Sequence, residues 1–135
     1  MGMFCYQCQE TAGGKGCTVK GVCGKTDDVA KLQDLLIYTL KGISQIVVKG
    51  KLDVKNLDNA NYQVLNSLFM TITNANFNAD YIVNQIKKML SIRDDLKKSV
   101  TLENPHDAAV FTVDSKEAML EKASSIGVLS TENED

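Results

Sequence analysis

The sequence predicts an all-α protein: a three-helix bundle with a short fourth helix, entered through an N-terminal loop rich in cysteine and glycine. Three observations carry this prediction. Beyond residue 26, apolar residues recur at steps of three and four, the spacing of a single helix face. All four cysteines lie in the first 23 residues, and five of the nine glycines fall between residues 4 and 25, a stretch with no apolar period. The chain has 135 residues, 44% of them hydrophobic, which suits one domain with a real core. The organisation expected is a cysteine-rich loop over 1–25, a three-helix bundle over 26–98, and a linker, a short helix and the start of a further helix over 99–135.

The first helix is predicted from Thr26, where Val29, Leu32, Leu36, Leu40, Ile43 and Val47 share one face. Thr26 suits an N-cap, Asp27 and Asp28 suit the positive end of the helix dipole, and Gly50 suits a stop. A second helix is predicted over about 60–75 with Leu65, Leu68, Phe69 and Ile72 inward. A third follows over about 79–98 with Ile82, Ile86, Met89 and Leu96 inward and Lys97 and Lys98 in its last turn. Residues 99–113 hold the single proline, Pro105, and the apolar run from Ala108 to Val113, as a linker or one short extended segment. Asp114 with Glu117 marks the start of a fourth helix carrying Met119, Leu120, Ala123 and Ile126, ended by Gly127. Thr131 followed by Glu134 repeats a capping-box pattern just before Asp135, the signature of a helix start in a longer protein.

Charge and composition exclude several function classes. Fifteen basic against 17 acidic residues leave a net charge of −2, so bulk attraction to nucleic acid is not expected. No apolar run approaches the ~18–20 residues of a membrane helix. The opening Met1-Gly2-Met3-Phe4 lacks the features of a signal peptide, and Tyr6 stands where N-myristoylation wants Ser or Thr. A reducing cytoplasm is therefore expected, where clustered cysteines more often bind metal than form disulfides. A lone histidine, His106, cannot build a multi-histidine site and reads as a surface residue beside Pro105. Tyr38, Tyr62, Phe69 and Tyr81 lie at helical spacing and read as core.

Cys5, Cys8, Cys17 and Cys23 form a C-x2-C-x8-C-x5-C constellation. Four thiolates from one loop can cover the corners of an iron–sulfur cluster, and glycines let the backbone approach it closely. Phe4 and Tyr6 are candidate shields against water. Zinc also accepts four cysteines, but structural zinc sites usually pair two short hooks, and here the second gap is five residues. The spacing favours iron–sulfur over zinc and leaves disulfides as a third reading. Lys15, Lys20 and Lys25 against Glu10 give the loop a charge of +2 and leave −4 for the remainder, which suits an anionic cluster before a helix N-terminus.

Phe4-Cys5-Tyr6-Gln7-Cys8-Gln9-Glu10-Thr11-Ala12, with Gly16-Cys17-Thr18 and Gly21-Val22-Cys23-Gly24-Lys25, resembles the N-terminus of the hybrid cluster protein family, also called prismane proteins and assigned as hydroxylamine reductases. Leu32 to Ile43 resembles the same family immediately downstream, as does Gly127 to Asp135. The string from Cys5 to Thr11 favours this branch over the related carbon monoxide dehydrogenases. The resemblance implies that Cys5, Cys8, Cys17 and Cys23 bind a 4Fe–4S cluster rather than the 2Fe–2S cluster of relatives with wider spacing. It further implies a longer protein, whose catalytic hybrid 4Fe–2O–2S cluster is bound by later domains and not by this chain. The implied role is an electron-entry domain with no catalytic residue of its own. The implied partners are those later domains and an electron-donor protein, with no nucleic acid or membrane. The rival reading from another class is a stand-alone zinc-binding helical interaction module.

The first helix carries one further expectation. Val29, Leu32, Leu36, Leu40, Ile43, Ile46 and Val47 make a stripe of roughly 120°, which Leu35, Ile37 and Val48 widen to roughly 220°. A helix that apolar is covered on more than one side. Either the fourth helix closes the gap, or the chain self-associates as a homo-oligomer through the bare part.

Overall fold

The computed structural model of the chain describes residues 2–73 and 77–130, and their regular structure is helical. Four α-helices follow the cysteine-rich loop: α1 (Asp27–Lys49), α2 (Asp58–Ile72), α3 (Ala79–Lys97) and α4 (Lys116–Ala123). The extended element among the described residues is a single antiparallel bridge between Cys5 and Cys17.

The chain runs up, down and up through α1, α2 and α3. Thr71 and Ile72 at the end of α2 line the same cavity as the cysteines, and Phe77 before α3 faces Lys25. At the opposite end, Gly50 after α1 packs on Val100 after α3, and a Cβ at residue 50 would stand 2.4 Å from Val100 Cγ1. Gly50 has φ −76°, so its smallness rather than its freedom is used there; the left-handed residue of that turn is Lys51. Residues 107–113 then return along α1. A Cβ at Gly42 would fall 2.0 Å from the Ala108 carbonyl oxygen, so glycine is what allows this backbone against the helix.

One core joins these elements. Leu32, Leu35, Leu36, Leu40 and Ile43 of α1 meet Ile82, Ile86, Met89 and Leu90 of α3, with Phe111, Met119 and Ala123 of the returning segment and α4. The wide apolar arc of α1 is thus covered mostly within the chain: Leu35 is fully buried, Ile37 is half-buried and Val48 is exposed. No helix among the described residues is long and apolar enough to cross a membrane.

Several local expectations need correction. Leu65, Leu68, Phe69 and Ile72 do not point inward: Leu65 is 67% exposed, Phe69 60% and Ile72 62%. The buried face of α2 is Ala60, Gln63, Ser67, Met70 and Thr71. It can be polar because its groups are satisfied: Gln85 Nε2 donates to Ser67 Oγ at 2.9 Å, and Ser67 Oγ donates to the Gln63 carbonyl at 2.7 Å. Tyr62 and Tyr81 are likewise exposed, while Tyr38 packs against the core and donates to Asp107. The second helix runs from Asp58 to Ile72, where Thr73 turns extended, so it starts before residue 60 and stops short of residue 75.

The helix caps also shift. Thr26 is the first flanking residue of α1 but accepts no capping bond; its hydroxyl donates to Asp28 instead. The cap of α4 is Ser115, whose Oγ accepts from Ala118 N–H at 3.2 Å, one residue beyond Asp114. Ile126 lies past the end of α4 yet still packs on the core. His106 is exposed, as expected, and caps the short turn Asp107–Ala109 through Nδ1. The capping-box pattern at Thr131 and Glu134 lies outside the described residues.

Candidate metal centre

The loop is folded by its own backbone before any side chain acts. Cys5 N–H donates to the Cys17 carbonyl at 3.0 Å and Cys17 N–H returns a bond to the Cys5 carbonyl at 2.9 Å, which sets these two cysteines side by side. Gly21 N–H donates to the Lys25 carbonyl at 2.8 Å, closing the turn that carries Cys23. Glycine is required at 21 by space: a Cβ there would stand 2.9 Å from Lys25 Cβ and 3.1 Å from Cys23 Sγ. At Gly16 it is required by φ of 108° and by the Phe4 ring, 2.6 Å from where a Cβ would sit.

These turns bring all four cysteines to the wall of one cavity of about 200 Å³. Cys17 is buried, Cys5 half-buried, and Cys8 and Cys23 exposed, with no disulfide among them. The remaining wall includes Gln7, Val22, Lys25, Thr71 and Ile72, so the end of α2 closes the site that the N-terminal loop opens. Phe4 and Tyr6 do not line it. Phe4 packs over Gly16, and the exposed Tyr6 donates its hydroxyl to the Gly14 carbonyl at 3.1 Å. Their contacts serve the loop's own folding, and the larger apolar side chains at the cavity wall are Val22 and Ile72, both largely exposed.

Polar groups are aimed at the sulfurs. Ala12 N–H approaches Cys17 Sγ at 3.5 Å, and Lys25 Nζ lies 3.5 Å from Cys5 Sγ and 2.9 Å from Gln7 Oε1. The Cys17 thiol is held below its ordinary pKa, first by the Ala12 N–H, next by the Val22 N–H, against the effect of burial and with help from the Lys25 charge. Thiolate is the form that binds metal, so the loop already favours the ligating state.

Among the described residues, no three Cys, His, Asp or Glu side chains converge tightly enough to hold one metal ion. Four thiolate-forming sulfurs around one shared cavity make a soft donor set of the kind an iron–sulfur cluster takes.

The model of the Prismane/CO dehydrogenase family matches residues 3–135. The chain belongs to that family. It is 69% identical, over its whole length, to a hydroxylamine reductase of Acetivibrio thermocellus, of which it covers 25%. It is 50% identical to a hydroxylamine reductase of Clostridium perfringens and 48% identical to one of Desulfitobacterium hafniense, covering all of this chain and 26% of each relative. The chain therefore spans about a quarter of the length of the curated relatives it matches.

Two features of this prismane-family site were not legible beforehand. In the sequence Lys25 reads only as loop charge, although it stands 3% exposed inside the cavity wall. Its place in Gly21-Val22-Cys23-Gly24-Lys25, directly after a ligand-type cysteine and a glycine turn, was the available signal. Thr71 and Ile72 come from α2 and had no local signal, because only the tertiary fold brings them to the loop.

Proposed function

We propose that Cys5, Cys8, Cys17 and Cys23 ligate one 4Fe–4S cluster, and that this chain is the electron-transfer region of a hydroxylamine reductase of the hybrid cluster type. The observation that carries this reading is the single cavity walled by all four sulfurs, with a backbone N–H and a buried ammonium directed at them. A cluster bound there would supply reversible one-electron storage. The chain's own residues do the rest. The cysteines hold it, and Ala12 N–H and Lys25 offset its negative charge.

Four cysteines fill a closed electron-transfer site and leave no open metal position for substrate. Reduction of hydroxylamine is therefore assigned to a hybrid 4Fe–2O–2S cluster in parts of the longer enzyme beyond this chain, reached by relay from this site. Those parts and an electron-donor protein are the proposed partners, and the cytoplasm the proposed location.

The test uses anaerobically prepared chain. It is expected to be brown, with visible absorption that Cys17→Ser bleaches, and to show no hydroxylamine reduction by reduced dye above the dye-only rate. A colourless chain with stoichiometric zinc would establish the zinc-binding interaction module instead, and turnover by the pure chain would overturn the division of labour.

A further inference from the structure

We infer that Lys25 is the positioning cation of this site: a fixed, buried positive charge that holds Cys5 in place and makes the cluster easier to reduce. The inference rests on the ligation reading above and goes beyond it to a residue that ligates nothing. A lysine ammonium is seldom buried without a partner of opposite charge, because leaving water is costly. Lys25 is 3% exposed, and the ion pairs formed among the described residues do not include it. Its neighbours are Cys5 Sγ at 3.5 Å, Gln7 Oε1 at 2.9 Å and the ring of Phe77, 5.9 Å from Nζ. None of these carries a fixed negative charge; Asp34 feels the Lys25 charge and Glu10 shares the cavity wall, but neither carboxylate forms an ion pair with it. Four thiolates and the cluster they hold would supply that charge, across the cavity that Lys25 shares with all four cysteines.

The geometry also restrains the lysine. Its carbonyl accepts from Gly21 N–H, Gly21 leaves no free space beside its Cβ, and the ammonium donates to Gln7 Oε1. A charge held this way does not need to reorganise when an electron arrives. Reduction adds one electron from an external one-electron donor, with no bond formed or broken in the protein. The product carries one more negative charge near the ammonium, so Lys25 favours the reduced form.

The experiment compares anaerobically purified wild type, Lys25→Met and Lys25→Arg. Iron per chain is measured first, then the midpoint potential by dye-mediated dithionite titration followed in the visible. Methionine keeps the apolar length and removes the charge. With iron retained, Lys25→Met is expected to weaken reduction by about tenfold, a shift of ~59 mV to lower potential for a one-electron couple. Lys25→Arg is expected to restore most of that shift. Retained iron with an unchanged potential in Lys25→Met would overturn the inference while leaving ligation standing. If Lys25→Met loses iron but keeps its helical circular dichroism, recovery of iron in Lys25→Arg supports the charge, and loss in both variants overturns it. Wild type without iron would overturn ligation and the inference together.

Discussion

Arg93 offers the sharpest test of how the returning segment is held. Its side chain is 0% exposed, at the C-terminal end of the buried face of α3. Nη1 donates to the Ala108 carbonyl at 3.1 Å and Nη2 to the Phe111 carbonyl at 2.7 Å, while Nε and Nη2 share Asp94 Oδ1. The guanidinium also lies over the Phe111 ring, 5.0 Å from its centroid. Arg93→Ala strands two buried carbonyls, each costing about 1–3 kcal/mol, and empties the space between α3 and residues 108–111. The two costs overlap, so a loss of about 3–4 kcal/mol is expected. At a urea slope of about 2 kcal/mol/M, the unfolding midpoint should fall by roughly 1.5–2 M. Arg93→Lys keeps the charge but not the planar fork, and is expected to recover only part of the loss. A loss below about 1 kcal/mol in Arg93→Ala, with an unchanged slope, would refute the assignment of Arg93 as the clamp on this segment.

Two other perturbations follow from the structure. Burial raises the Asp34 carboxyl to about 6, against the charges of Lys25 and Lys41. The folded state then binds the proton more tightly than the unfolded one, so stability falls as pH rises from about 4 to about 6 and stays lower above that window. Asp34→Asn should flatten this slope and gain on the order of 1–2 kcal/mol at pH 7 once solvent screening is allowed for, as read by denaturation at pH 4, 5, 6 and 7. The outer face of α2 exposes Leu65, Phe69 and Ile72 together, so the isolated chain is expected to self-associate there rather than through α1. Light scattering across a concentration series should show Leu65→Lys with Phe69→Lys to be more monomeric than wild type; identical masses would count against this surface.

The helices were legible because periodicity is a local property. α3 spans Ala79–Lys97 against an expected 79–98, and the α1 stripe from Val29 to Ile43 is buried as read. The face of α2 was not legible. A period of three and four groups Leu65, Leu68, Phe69 and Ile72 on one face but does not say which face meets the core. Here the polar side wins that place because Gln63, Ser67 and Gln85 satisfy one another across α2 and α3, a pairing of residues 18 apart or more. Arg93 was missed for a related reason: a charged residue in a helix reads as solvated, and the carbonyls it meets, of Ala108 and Phe111, are 15 and 18 residues away in the chain. At the site, the spacing identified which cysteines act together, and the resemblance said what they hold. Neither could reveal that Phe4 and Tyr6 face away from the cavity while Lys25 and Ile72 wall it.

Whether four sulfurs hold one iron–sulfur cluster is read out by metal stoichiometry. Iron, acid-labile sulfide and zinc are to be measured together on chain purified without oxygen. Ligation as proposed predicts about four iron and four sulfide per chain, with zinc absent and iron lost in Cys17→Ser. One zinc per chain without iron, or iron content that Cys17→Ser leaves unchanged, would contradict it.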